Sequence, residues 1–254
     1  MTSLPILPIR ACALAALVLA LGCAQSAAPA PTAAPAPTQP PTPSEPAMYP
    51  DLVQSLERLA PQTAAIPAER KQALDRIAAF VRERNAAGAS ARLTFICTGN
   101  SRRSHLAQLW AAAAARYQHV AGVQTFSGGT EPSAFNPRTI AALQRAGFVI
   151  EGPAAPGDNP HYAVRMSPQG EPVDAFSKRF DDPANPKDDF VAVMTCSEAD
   201  ESCPNVAGAA LRVSLAYDDP KVADGTPQEA ARYDERSQQI ATEMLYLFAQ
   251  VRPR

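Results

Sequence analysis

Histidine is scarce in this sequence. The chain of 254 residues holds three, and none stands at metal-ligand spacing to a cysteine pair, which argues against a zinc site. Neither sign of charge is in excess: 23 Lys and Arg against 25 Asp and Glu leave a net charge of -2. There is therefore no basic footprint for nucleic acid. Long hydrophobic runs are missing too. The apolar stretch Ala11 to Leu21 falls well short of the roughly 20 residues that a membrane-crossing helix needs. No segment repeats another. These absences leave a small molecule or a protein as the partner.

Cysteine is sparse at five. Cys12 lies in the apolar leader and Cys23 ends it, so Cys97, Cys196 and Cys203 remain for the folded part. An odd count in an exported chain leaves a reactive thiol or an exchange of disulfide partners. The leader "MTSLPILPIRACALAALVLALGC" has Arg10 before the apolar run and Gly22-Cys23 after it, the layout of a signal peptide. "ALGC" resembles a bacterial lipobox, which implies cleavage before Cys23 and lipid on its sulfur; an ordinary cleaved signal is the alternative. Ala24 to Ala47 carries eight prolines and one charge. Such a tract is an extended, solvated spacer.

What is present from Met48 onward is one α/β domain. Pro67 opens a helix with Leu74, Ile77, Ala78 and Val81 on one face, the 3.6-residue period of a helix packed on a core. Leu93 to Ile96 is the first strand, Ser104 to Tyr117 a helix, and Gly122 to Phe126 a second strand. Asn136 caps another helix with Pro137 in its first turn. About residues 151–187 the chain is rich in Pro, Gly and Asp, a loop-rich insertion with a short hairpin around His161 to Met166. Asp189 to Thr195 and Ala210 to Tyr217 are the third and fourth strands. The last helix starts at "TPQE", with Thr226 as cap and Glu229 at the capping-box position. Strands alternating with helices imply a parallel sheet covered on both sides.

The chemistry concentrates in "FICTGNSRRSH", Phe95 to His105. A strand running into a short loop and then a helix aims the backbone N–H groups of Thr98, Gly99, Asn100, Ser101 and Arg102 at one spot, where they favour an anion. Cys97 opens the loop and Arg103 closes it. A thiol facing such dipoles and a guanidinium gives up its proton readily, and Arg103 can contact two oxygens of a tetrahedral oxyanion at once. Thiolate and oxyanion are then held together for in-line attack. Ser104 is placed to donate a hydrogen bond to the thiolate.

"FICTGNSRRSHLAQLW" resembles the phosphate loop of the low-molecular-weight protein tyrosine phosphatase superfamily, which includes the thioredoxin-coupled arsenate reductases. The similarity runs on through "SGGTEPSAFNP", "VMTCSEADESCP" and "AYDDP". It implies a four-stranded parallel sheet with helices on both faces, Cys97 as nucleophile, Arg103 as oxyanion clamp and no cofactor. The family's catalytic acid precedes a proline after the last strand, which Asp219 fits. A second Asp-Asp-Pro, Asp181 to Pro183, lies before the third strand and fits the order less well.

"CSEADESC" sets Cys196 and Cys203 seven positions apart just after the third strand. Arsenate reductases of this superfamily carry a pair at this place, and a phosphatase has no use for one. The resemblance therefore implies a relay in which Cys97 forms an arsenate adduct, Cys196 attacks Cys97, and Cys203 attacks Cys196 to bring the disulfide to a thioredoxin-like reductant. A structural disulfide is the alternative for the pair. "PKVADG", after Asp219, lacks the aromatics with which phosphatases of the family sandwich a phosphotyrosine. Arg102 departs from the family, whose reductases usually have another cysteine there. A phosphatase acting on phosphomonoesters through Cys97, and a lipoprotein that only binds oxyanions, are the competing functions.

The expected organisation is a signal peptide over 1–23, a linker over 24–47, a helical extension over 48–90 and the catalytic domain over 91–254. Its location would be at a membrane, facing the periplasm or the cell exterior and held only by lipid on Cys23. A start at Met48 would give a cytoplasmic form instead.

Overall fold

The computed structural model describes residues 47–153, 157–202 and 205–252. The leader, Cys23, the proline-rich tract and Cys203 lie outside the described residues. Helix α1 (Pro50–Leu59) has proline in its first turn, where a missing N–H costs nothing, and buries Leu52, Leu56 and Leu59 along one stripe. A 3-10 turn over Ala60–Ala65 leads to α2 (Ala68–Ala86), which buries Leu74, Ile77, Ala78 and Val81. Each large aliphatic among them contributes about 1.5–3 kcal/mol by leaving water.

Strands β1 (Ala91–Cys97), β2 (Val123–Gly129), β6 (Phe190–Met194) and β7 (Ala209–Ser214) form a parallel sheet in the order β2-β1-β6-β7. Every residue of β6 is buried, the pattern of a strand covered on both faces. Leu93, Phe95, Val191, Val193 and Val213 pack with α2, α3 (Arg103–Tyr117) and α6 (Glu229–Ala249). Ile96, Ala192 and Met194 point the other way, to Ala199 of the short helix α5 (Ser197–Ser202) and to Phe180. The expected α/β sheet flanked by helices on both faces is what the chain forms, with the long helices gathered on one side.

Helix α4 (Pro137–Arg145) begins as expected, Asn136 Oδ1 accepting from Arg138 N at 2.9 Å. Helix α6 begins later than the capping box suggested. Thr226 Oγ1 accepts from Gln228 N (3.3 Å) and Glu229 from Gly225 N (2.6 Å), so these residues close a turn and the helix starts at Glu229 itself.

The insertion is more regular than expected. Strands β3 (Val149–Glu151), β4 (Tyr162–Arg165) and β5 (Val173–Ala175) make a separate antiparallel sheet in the order β3-β4-β5. The hairpin expected around His161 to Met166 is replaced by one strand paired on both sides. Strands of three or four residues span too few alternations for a period to be read. Beyond β5 the chain returns to the main sheet, where Gly129 N donates to Lys178 O (2.8 Å) and Phe180 N to Gly129 O (3.0 Å).

That return needs Gly128. A β-carbon there would lie 2.3 Å from Phe180 Cα and 2.8 Å from Phe180 N, backbone that cannot swing aside. Gly128→Ala is expected to destabilise the protein by about 1–3 kcal/mol through overpacking, read as a lowered urea midpoint. An unchanged midpoint would show that the return segment is not held against β2.

Candidate active site

The carboxyl ends of the four parallel strands meet at one edge, the usual ligand site of open α/β sheets. β1 ends there at Cys97, level with Gly129 of β2. From Cys97 onward, four carbonyls of the loop are taken from outside. Thr130 N donates to Cys97 O (3.2 Å), Glu131 N to Thr98 O (2.9 Å), Ser133 N to Gly99 O (3.0 Å) and Asn136 N to Ser101 O (3.1 Å). With its carbonyls turned toward the β2–α4 connection, the loop presents N–H groups on its opposite side, at the N-terminus of α3. That is an anion site by geometry.

Asn100 holds the turn. Its φ of 41° is in the left-handed region, which asparagine tolerates better than most residues. The side chain is used at both ends, Nδ2 donating to Ser104 Oγ (2.9 Å) and Oδ1 accepting from Lys178 N (2.9 Å). Ser104 Oγ, which accepts from Asn100, lies 3.1 Å from Cys97 Sγ, where its hydroxyl can donate to the thiolate. Ser101 Oγ donates to Ala134 O (2.6 Å). Gly99 O also accepts from Ser177 Oγ (3.0 Å) of the insertion. Asn159 fixes that serine, accepting from Ser177 N (3.1 Å) and donating to Ser177 O (2.7 Å).

Cys97, Thr98, Gly99, Arg103, Glu198 and Asp219 are among the residues lining a cavity of about 290 Å³. Arg103 is buried, and Nη1 donates to Tyr217 O at 3.1 Å while Nη2 lies 3.1 Å from Asp219 Oδ2. Glu198 Oε2 is 3.6 Å from Nη1. Asp219 is held from its own side, Oδ1 accepting from Lys221 N (3.0 Å) at the start of a 3-10 turn, Pro220–Ala223. In the competing string from the sequence, Asp181 is half exposed and paired with Arg179 at 2.9 Å, and Asp182, the residue before the proline, accepts from Ala184 N at 2.8 Å. Neither is among the residues lining the cavity.

Arg102, the residue that fits the family pattern least, sits at the mouth. Its Nε donates to Tyr233 Oη (3.1 Å), and Nη1 is 3.7 Å from Asp219 Oδ2. Burial first, then the hydrogen bond donated to Asp224 (2.9 Å), pushes Tyr233 up to about 12, so the phenol stays protonated. Asp219 thus answers two guanidinium groups, one deep and one at the rim.

Cys196 follows β6 by two residues and is fully buried. It and Cys97 are both free thiols. Burial pushes the Cys196 thiol up, partly countered by Thr98 Oγ1 at 3.5 Å and by the Ala199 N–H at 3.4 Å. The oxyanion loop and the second cysteine are therefore joined through Thr98. Among the described residues no cluster of three or more His, Cys, Asp or Glu could hold a metal ion.

Sequence reasoning missed Glu198, Tyr217, Ser177 and Lys178. Glu198 was within reach of it, two residues after a cysteine already singled out. Tyr217 acts through its carbonyl, and Ser177 and Lys178 reach the loop by a fold-back that has no local signal.

No known family model matches the chain. The chain is similar to the arsenate reductase of Bacillus licheniformis, 26% identical over 157 residues, 61% of this chain and 93% of the relative. Among solved structures it is similar to a mutant of the YwlE protein of Bacillus subtilis, with a TM-score of 0.44 and 14% identity over 64% of this chain and 99% of that one. A thioredoxin-dependent arsenate reductase of Corynebacterium glutamicum has a TM-score of 0.35 and 20% identity, covering 75% and 79% of the two chains.

Beneath the loop, His105 stacks on Phe135 with ring centroids 4.1 Å apart. Its Nε2 meets the carbonyl of Phe176 at 3.3 Å, so Nε2 carries the hydrogen and Nδ1 is bare. Burial, and then the Lys178 ammonium, push His105 from 6.5 down to about 3. Both states bind no proton there above pH 6.5, and only the unfolded state binds one between 6.5 and about 3. Stability is therefore full above that window and is lost as pH falls through it, by about 2 kcal/mol at pH 5 from this group. Urea titrations at pH 7 and pH 5 should show that loss in the wild type and a smaller one in His105→Gln. Equal losses in both would remove His105 as the cause.

Proposed function

We propose that this chain, a member of the low-molecular-weight protein tyrosine phosphatase superfamily on its arsenate reductase branch, reduces arsenate to arsenite through a cysteine-dependent reaction. The observation that carries the reading is the second free thiol. Phosphate-ester hydrolysis needs one cysteine, whereas arsenate reduction needs two electrons from side chains. Cys196, joined to the loop by Thr98 at 3.5 Å, is the thiol that supports this second role.

In this mechanism the loop N–H groups and Arg103 hold the oxyanion, which costs little reorganisation because both are already fixed. The Cys97 thiolate attacks arsenic, and one hydroxyl of the hydrogen arsenate leaves as water after taking a proton from Asp219. Asp219 lies between Arg103 and Arg102, so an incoming oxyanion competes with it for both guanidinium groups. The Cys196 thiolate then attacks Cys97 Sγ. The sulfur–arsenic bond breaks with its electron pair going to arsenic, and arsenite departs. Cys203 attacks Cys196, Cys97 leaves as thiolate, and a dithiol reductant of the thioredoxin type opens the resulting disulfide. The balance is arsenate plus two thiols giving arsenite, water and one disulfide.

A phosphatase reading uses the same Cys97, Arg103 and Asp219 with a phosphoenzyme in place of the arsenate adduct. The exposed Lys221 and Val222 beside Asp219 provide no aromatic wall for a phosphotyrosine ring, which favours the small inorganic substrate. We also propose attachment to a membrane through lipid on Cys23, supported by the leader alone; the donor would then be a dithiol of that compartment. Finding the protein only in the soluble cytoplasmic fraction would replace this with the Met48 start.

Side-by-side assays separate the reactions. Cys196→Ser and Cys203→Ser should each lower arsenate turnover by a factor on the order of 10³ or more, as loss of a chemical participant does, while p-nitrophenyl phosphate hydrolysis persists. Cys97→Ser should remove both activities. Arsenate turnover that survives Cys203→Ser at the wild-type rate would exclude the relay.

A further inference from the structure

Helix α2 precedes the first strand of the sheet, yet one of its side chains reaches the active-site edge. Arg70 donates from Nε and Nη2 to the two carboxylate oxygens of Glu243 at 2.6 and 2.8 Å, and from Nη1 to the carbonyl of Ala216 at 3.1 Å. Its guanidinium carbon lies 4.8 Å from the centre of the Tyr217 ring. Glu243 is buried on α6 and accepts from Tyr217 Oη as well, at 2.6 Å. The bidentate fork, the stacked ring and the third hydrogen bond use what only arginine offers.

Ala216 and Tyr217 stand between β7 and Asp219. Tyr217 N donates to Thr195 O (3.1 Å), next to Cys196, and Tyr217 O accepts from Arg103 Nη1 (3.1 Å). The segment that aims the clamp is therefore held from the sheet on one side and by Arg70 and Glu243 on the other. If it moved by about 1 Å, the Tyr217 carbonyl would no longer set the plane of the Arg103 guanidinium, and misplacements of that size are costly in active sites.

We propose that Arg70 is a positioning residue for the oxyanion clamp, fixing the Ala216–Tyr217 segment that orients Arg103 and presents Asp219. The helical stretch before the sheet is thereby part of the catalytic apparatus. This rests on the proposed oxyanion chemistry of Cys97 and does not depend on which oxyanion is the substrate.

The test uses the full chain, Arg70→Lys, and Arg70→Met combined with Glu243→Gln, the second change preventing an unpaired buried carboxylate. Alkylation of Cys97 by iodoacetamide, followed on its own peptide by mass spectrometry, is titrated with inorganic phosphate, and thermal unfolding checks the fold. The folded double variant should need about tenfold more phosphate for half-protection, with Arg70→Lys in between. Half-protection at the wild-type phosphate concentration in a folded double variant, whatever its melting temperature, would reduce Arg70 to a structural pair and overturn the proposal. A wild type that is protected by phosphate but does not reduce arsenate would overturn the proposed reaction and leave this inference standing.

Discussion

A buried guanidinium must be paired from several directions, and the site is organised around that requirement at Arg103. Its partners come from two separate pieces of chain: the Tyr217 carbonyl and, two residues on, the Asp219 carboxylate after β7, and Glu198 of α5. The clamp is thereby aimed without help from its own helix. Leaving one partner out would strand charge in a low-dielectric place, which is far more costly than losing an exposed pair. Glu198 is largely exposed and contributes least to that balance.

The oxyanion loop depends on the same logic applied to backbone. Four of its carbonyls are bonded by N–H groups of the β2–α4 connection, so the loop cannot turn over and its own N–H groups remain for an anion. The insertion adds a second layer, with Ser177 on the Gly99 carbonyl and Lys178 N on Asn100 Oδ1. The insertion's return segment braces the loop from the side of β2, and the contact is close because Gly128 has no side chain.

Two different environments act on the two thiols. Cys97 meets a serine hydroxyl and the helix N-terminus. Cys196 is deeper, where burial favours the neutral thiol, and Thr98 and the Ala199 N–H work against that. A relay of this kind requires the second thiol to wait protonated and to attack only when the first carries its adduct, and the burial of Cys196 suits that order.

Much of this was legible in the sequence. The helix faces of α2 and α6 are sustained periodic patterns, the cap at Asn136 is a local hydrogen bond, and the loop from Cys97 to Arg103 is contiguous, so each is a property of neighbouring residues. The reach of the long-range contacts was not. Asp218 to Pro220 and Asp181 to Pro183 are the same Asp-Asp-Pro string, and only the packing brings Asp219 to the cavity and leaves Asp181 on Arg179 and Asp182 on the backbone of its own turn. The strands of the insertion are too short to show a period, and Arg70 meets Glu243 across 173 residues of chain. What the sequence by itself determined is the reactive group, because a strand, a loop and a helix in succession bring a thiol, N–H groups and a guanidinium together locally. What only the tertiary structure decided is which distant residues aim them, because hydrogen bonds and ion pairs between separate elements depend on where the chain returns, and no local pattern records that.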